Sequence, residues 1–537
     1  MSNATTGSDR VVPGQQPPEE RVSRLARLTC PAVTHWQFSI VLLAAIVVRI
    51  IVILGYPPIL WFTDSYNYIY DAVTHIPDET RPNGYPFLLD LLLPLHSLYP
   101  LAVLQAAMGV AMGVAIYALL RHRGLPWWGA SLPALPVLFD SYELHLEHQI
   151  GADTLFIFLV TIALVILCWS DRPSLPVMAV AGVLIGYATV VRSVGEPLLV
   201  VLLVGMLARR VGWRRLVTLL VAGIVPIGAY MIWFHHTWDK YAPTESSGSF
   251  LYSRVSTFAE CPKMNLPADL RYLCDPTNPQ DRPAAGQYIW ADNELPPHQN
   301  TYTPLYKALN SDTGQRFTVT VNGQARQFAE RAIEAQPVAY LRVVTKDVLH
   351  TFGWNRQPDP GGYYENGNGN GPTFQFVSGP EMTAQIPWYA RADYGTGAPN
   401  SQDEQSHVIY VAEKDFAGNG LGATRAVAPW ARLILIYQRY FYLHGTLLGL
   451  IVLIGAAGVL ARWRRWGGVG LLPWLVGALL IVIPSMTAGF SYRYALAAVP
   501  AACLAAGLAF VPGDKSVGAL AANLRRHLGR GVAVDQE

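Results

Sequence analysis

Trp61-Phe62-Thr63-Asp64-Ser65-Tyr66-Asn67-Tyr68 follows directly on an apolar run over 36–56, and is followed in turn by Arg81-Pro82-Asn83-Gly84-Tyr85-Pro86-Phe87. The run is long enough to cross about 30 Å of hydrocarbon. The loop after it sets an acid among aromatic residues within a few positions of the membrane, which is costly unless the site uses the charge. These two stretches imply a polytopic α-helical membrane protein built around a carboxylate at the bilayer boundary.

Composition agrees. The chain has 537 residues, 52% hydrophobic and 14% charged, with a mean hydropathy of +0.25, far more apolar than a soluble fold of this size needs. A net charge of +2, with no Lys/Arg-rich run interleaved with aromatics, excludes a nucleic-acid partner. The start of the chain is polar and has no apolar core of a secretory signal.

Further apolar runs lie at 101–120, 151–169, 175–191, 216–234, 442–460, 470–486 and 494–510, with two shorter ones at 126–139 and 194–207. About ten transmembrane helices are expected, because counting both short runs puts every basic group on one side, the cytoplasm. Those groups are Arg21, Arg24 and Arg27; Arg121 and Arg123; Arg172; Arg209, Arg210, Arg214 and Arg215; Arg462, Arg464 and Arg465; and Arg525, Arg526 and Arg530. The expected layout is a disordered cytoplasmic tail over 1–35, then an N-terminal membrane domain over 36–234 with a catalytic first outer loop at 57–100. An extracytoplasmic domain over 235–432, transmembrane helices over 433–511 and a cytoplasmic tail over 512–537 complete it. No internal repeat is visible.

Segment 235–432 has no sustained apolar run, and its mixed patterning predicts an α+β soluble domain. A helix is expected over 340–352, strands over 374–377 and 407–411, and a flexible loop over 361–371, where Asn and Gly alternate. Of the five cysteines, Cys261 and Cys274 are the pair placed to form a disulfide, provided the segment faces an oxidising compartment. Such a bridge contributes roughly 3 kcal/mol in the chain-entropy view.

Asp64, Tyr68 and Asp71 fall on one helical face by their spacing. A carboxylate there can take a proton from a hydroxyl as a general base. The plainer alternative is that Thr63 or Asp64 caps a short helix. Three arginines on the same outer side, Arg81, Arg192 and Arg493, run against the positive-inside bias. Guanidinium is planar, permanently charged and suited to paired hydrogen bonds with phosphate oxygens, so the three together suggest a lipid-phosphate site, whereas one alone would be a snorkelling anchor.

Asp140, Glu143, His145, Glu147, His148 and Asp153 cluster in the second outer loop. His145 and Glu147, beside His148, are candidate ligands for a divalent ion, but their spacing fits no closed metal motif and solvated loops often mix these residue types. Asp153 opens a span, where a helix N-terminus favours an anion.

Several of these words resemble the GT-C superfamily of polyprenyl-phosphate-dependent glycosyltransferases, in particular the bacterial protein mannosyltransferase and lipid A aminoarabinose transferase group. They are Asp64-Ser65-Tyr66, Arg81-Pro82-Asn83-Gly84-Tyr85-Pro86, Ala152-Asp153-Thr154-Leu155-Phe156, Val191-Arg192, and Tyr492-Arg493-Tyr494 with Pro500. The likeness covers the membrane half and leaves 235–432 unmatched. Many relatives carry paired acids in the first loop; here Ser65 follows Asp64, which leaves Asp64 a lone base and argues against a metal at that loop.

The resemblance implies a multi-pass protein of a bacterial plasma membrane with its active site on the extracytoplasmic face. A sugar, a hexose or a pentose, would leave a polyprenyl-phosphate donor whose phosphate meets Arg192 and Arg493, with Arg81 as a third contact. Asp64 would deprotonate the acceptor, a cell-envelope glycan, lipid or protein, and configuration would invert. Asp153, Glu147 and His145 are the remaining acidic-loop candidates, on the acceptor side. Two other classes fit the bare residues. A lipid-linked substrate transporter or flippase would want polar groups at mid-membrane and a repeated half; a non-enzymatic scaffold would not need Asp64.

Overall fold

The computed structural model of the protein describes residues 35–290, 305, 317–354, 375–378, 408, 411–412, 424–462 and 468–512. Helices dominate. In the first half they are α1 (Trp36–Gly55), α2 (Thr63–Thr74), α3 (Gly84–Leu92), α4 (Tyr99–His122), α5 (Ser141–Glu147), α6 (Ala152–Trp169), α7 (Leu175–Val191), α8 (Glu196–Ala208) and α9 (Trp213–Trp238). Then come α10 (Ser247–Ser256), α11 (Val319–Ala335), α12 (Pro337–His350), α13 (Trp430–Tyr437), α14 (Gly445–Ala461), α15 (Leu471–Thr487), α16 (Tyr492–Leu496) and α17 (Val499–Ala509).

By length and composition, six helical stretches among the described residues can cross a membrane: Trp36–Gly55, Tyr99–His122, Ala152–Trp169, Trp213–Trp238, Gly468–Thr487 and Tyr492–Ala509. The other four expected spans are apolar helices of fewer residues: Trp127–Phe139, Leu175–Val191, Ser193–Ala208 and Gly445–Ala461. Trp127–Phe139 is interrupted by a 3-10 turn at Leu132–Ala134, where Pro133 and then Pro136 break the regular ladder. A multi-pass helical membrane protein accounts for these helices; α1 and α9 are largely uncovered by the rest of the chain, as lipid-facing helices are.

The bundle has two chemically distinct ends. At one, basic side chains fold back on carbonyls at helix ends and in the connecting turns: Arg123 donates to Cys168 (2.9 Å), Arg209 to Leu167 (2.9 Å), Arg215 to Pro173 (2.8 Å) and Arg462 to Val511 (3.1 Å). Cations suit the carbonyls at the ends of α6 and α17, which carry the negative end of the helix dipole; Pro173 lies in the turn before α7. At the other end of α6, about 27 Å away at 1.5 Å per residue, stand Asp153 and the loops that follow α1 and precede α6.

Two loops build that second end. Leu60 pairs with the 148–150 stretch, donating to His148 O (2.9 Å) and accepting from Ile150 N (3.0 Å). Ser65, fully buried, accepts from Phe62 N (2.9 Å) and donates to Ile150 O (2.7 Å). The start of α2 is therefore fixed against the start of α6. Gly84 presses the first loop onto the end of α7: a Cβ there would lie 2.6 Å from Val190 O.

Among the described residues of 235–432 the regular structure is helical and no strand forms, so the α+β expectation is not confirmed there. Val408, Val411 and Ala412 are helical where a strand was expected over 407–411; five alternating residues are too few to fix a period. Phe376 is not in a strand either. Its N–H and C=O are met by the side-chain amide of Gln438, at 2.9 and 2.8 Å, which takes the place of a neighbouring strand. The helix expected over 340–352 is α12, and the 361–371 loop lies outside the described residues. α10, α11 and α12 enclose a core of Tyr252, Leu270, Tyr288 and Phe328, and Cys261 is bonded to Cys274. This unit rests on the first loop through Glu79, which accepts from Glu245 N (2.7 Å) and Phe317 N (3.1 Å), and on α15 through Tyr340, whose hydroxyl donates to Met486 O (3.0 Å).

Candidate functional site

α2 begins at Thr63, with Phe62 rather than Thr63 or Asp64 in the capping position, and places Asp64 in its first turn. Asp64, Tyr68 and Asp71 form the buried face of that helix. Pro82, Asn83 and Gly84 turn the chain back, and Asp78 braces the turn by accepting from the backbone N–H of Arg81 (3.0 Å). Arg81 thereby reaches Asp64, with Nη2 2.7 Å from Oδ1. From the far end of the sequence, Arg493 in α16 brings Nη1 to 2.8 Å from Asp64 Oδ2.

The contacts continue. Arg493 Nε lies 2.7 Å from Asp153 Oδ2, and Arg192, at the end of α7, donates to the other Asp153 oxygen. The result is an unbroken chain: Arg81, Asp64, Arg493, Asp153, Arg192. It draws on five separate segments, and its members are mostly buried, with Asp64 8%, Asp153 4% and Arg493 8% exposed. Rings line it: the Arg493 guanidinium sits 5.0 Å from the Phe62 ring centre and that of Arg192 5.5 Å from Tyr494, distances at which a cation gains from a π face.

Burial alone would raise the Asp64 carboxyl, but the guanidinium groups of Arg81 and Arg493 outweigh it and hold it well below the ordinary carboxylate range. Two turns along the same helix the balance reverses. Asp71, 5% exposed, is pushed well above the usual range by burial and by the neighbouring Asp78.

The remaining acidic-loop candidates lie elsewhere. Glu147 grips Arg49 with both oxygens, at 2.6 and 2.7 Å, and Arg49 Nη1 also donates to the carbonyls of Leu138 (2.9 Å) and Ala45 (3.2 Å). His145 packs edge-on against Phe376, and His148 donates to Tyr56 O at 2.7 Å. Burial pushes His148 down to about 4, so it is neutral near pH 7. Among the described residues no three His, Cys, Asp or Glu side chains gather as metal ligands, and the four oxygens of Asp64 and Asp153 all face guanidinium groups. This donor set does not fit a divalent ion.

Two features escaped the sequence reading. Arg49 is a charge inside an apolar span, and that alone is a signal of a buried partner. Tyr85 is the other: its hydroxyl donates to Gln105 (2.8 Å) and accepts from Gly151 N (3.1 Å), while Gln105 donates to the carbonyls of Glu147 and Gln149, both at 2.8 Å. That brace sets the N-terminus of α6 two residues before Asp153.

No family model and no curated protein matches the chain. Among solved structures it is similar to a protein O-mannosyltransferase complex of S. cerevisiae bound to the sugar donor, at 16% identity and a TM-score of 0.31. The match covers 44% of this chain and 38% of that one. A likeness so slight carries no argument, so the chemistry has to be read from the site itself.

Proposed function

We propose that the protein is a membrane glycosyltransferase of the GT-C kind, which transfers a hexosyl or pentosyl group from a polyprenyl-phosphate donor to an acceptor with inversion. The observation that carries this reading is the chain of three guanidinium groups threaded through two carboxylates at the end of the bundle away from the basic side chains. Arginine is matched to phosphate oxygens, and a carboxylate beside bound phosphate can serve as a base.

In the proposed step the acceptor hydroxyl gives its proton to Asp64. Its oxygen attacks the anomeric carbon from the face opposite the phosphate. The bond from that carbon to the phosphate oxygen breaks, and its electron pair leaves with the polyprenyl phosphate. Arg192, Arg493 and Arg81 stabilise the charge gathering on the phosphate, the larger electrostatic contribution in a site of this kind. Asp153 holds Arg493 and Arg192 side by side. No metal is required.

The setting that goes with this chemistry is a bacterial plasma membrane, about ten spans, and an active site facing the extracytoplasmic side, with the 235–432 segment covering the site and selecting a cell-envelope glycan, lipid or protein acceptor. Mass spectrometry of envelope glycans from a strain lacking the protein tests it. One sugar class should vanish and return with the wild-type gene but not with Asp64→Asn; an unchanged glycan profile would refute the reading.

A further inference from the structure

Arg81 contacts Asp64 and lies 3.8 Å from Asp78; Arg493 contacts Asp64 and Asp153; Arg192 contacts Asp153. Three cations meet three carboxylates, so the set has no surplus charge with which to draw in a phosphate. Asp64 is equally committed, since each of its oxygens accepts from a different guanidinium. A carboxylate in that position is a poor base, because any proton it takes must displace an interaction with a cation. The resting geometry therefore holds the acid and the phosphate-binding groups against each other.

Arg192 is where this lock opens to a ligand. Of the two more exposed guanidinium groups, Arg81 (21%) lies against both Asp64 and Asp78, whereas Arg192 (15%) meets Asp153 through one terminal nitrogen. A phosphodiester oxygen arriving there lies one residue along the chain from Arg493, whose Nε and Nη1 are engaged by Asp153 and Asp64.

Resting on the reading of the site as a polyprenyl-phosphate site, we propose that the donor phosphate activates its own reaction. By competing for Arg493 it strips one of the two guanidinium groups from Asp64, so the base becomes available only once the sugar is in place. Acceptor deprotonation then follows donor binding. The groups facing Asp64 that set this exchange are Arg81 from the first loop, Arg493 from α16, Arg192 from the end of α7 and Tyr68 from α2, with Asp153 and Asp78 as the competing carboxylates.

The test uses the full chain in lipid nanodiscs with undecaprenyl phosphate as the probe. The Asp64 carboxyl band is followed by infrared spectroscopy against pH, assigned by its loss in Asp64→Asn, or by its displacement in Asp64→Glu should the first variant not fold. Saturation with the lipid phosphate should raise the midpoint by about one to three pH units, the range for a carboxyl that loses an adjacent guanidinium. Arg81→Gln should raise it without lipid. A midpoint that stays put while calorimetry shows the lipid bound, or that ignores Arg81→Gln, overturns the switch and leaves the phosphate site standing. Failure of the lipid phosphate to bind at all overturns the phosphate site, and the switch with it.

Discussion

Arg49 with Glu147, and Asp64 with its arginines, are both buried ion arrangements, yet they are built for opposite ends. The first is closed: two carboxylate oxygens meet two guanidinium nitrogens, the third nitrogen is taken by two carbonyls, and both side chains are 4% exposed. Gly109 leaves the space it needs, since a Cβ there would lie 1.8 Å from Glu147 Oε1. The second is an open chain, partly exposed at Arg81 and Arg192, whose members each meet different partners. A closed pair can hold helices together but has no way to exchange contacts. An open chain can trade one anion for another, which is what binding a phosphate requires.

The contrast breaks most directly at Asp64. Asp64→Asn should lower turnover by about 10²- to 10⁴-fold, the usual worth of a general base, while thermal unfolding shows a folded protein. Comparable activity in the variant would reduce the open chain to a second structural clamp. At the closed pair the effect should fall on stability instead. Arg49→Ala strands a buried carboxylate and should cost about 3–5 kcal/mol, and the double replacement of Arg49 and Glu147 by Met should recover most of it. Were the double variant as unstable as the single one, the pair would not be the self-contained clamp described here.

Arg192→Ala comes next. It removes a charge-assisted contact from the exposed end and should lower kcat/KM for the donor roughly 10- to 150-fold, the equivalent of about 1.5–3 kcal/mol, with KM for the acceptor little changed. An acceptor-side effect would place the phosphate elsewhere.

Much of this was legible from the residues. The helices match the apolar runs, and the spacing of Asp64, Tyr68 and Asp71 gave the buried face of α2. Arg81, Arg192 and Arg493 stood out because they run against the positive-inside bias, whereas Asp153 was legible only as an anion at a helix N-terminus. Contact between Asp64 and Arg493, 429 positions apart, could not be seen from spacing, because it depends on how the bundle closes. The strand expected over 374–377 misled for a local reason: Phe376 has strand-like neighbours in sequence, yet Gln438 satisfies its backbone from a side chain, a partner no alternation pattern reveals. Ser65, read first as a missing acid, is the buried hydroxyl that joins the start of α2 to the stretch before α6.

The smallest effect separates Asp71 from Asp64 on the same helix. Asp64 is held below its unfolded value, so its contribution to stability is present from mild acid upward and is lost only as pH falls through its folded value. Asp71 is held above its unfolded value, so its contribution is full in acid and is lost as pH rises through its folded value. Asp71→Asn should therefore flatten the decline of Tm with rising pH, by about 1 °C for each kcal/mol relieved in a chain of this length. A decline of unchanged slope would show that Asp71 is not the strained acid.

Transfer itself can be measured on purified protein in nanodiscs, using polyprenyl-phosphate sugars labelled in the sugar and an envelope fraction as acceptor. Label from one donor should pass into the acceptor with inverted configuration, and Asp64→Asn should stop it with the donor still bound. If every donor remains intact, or if Asp64→Asn transfers label as fast as the wild type, the ion chain at the end of the bundle is not a glycosyl-transfer site.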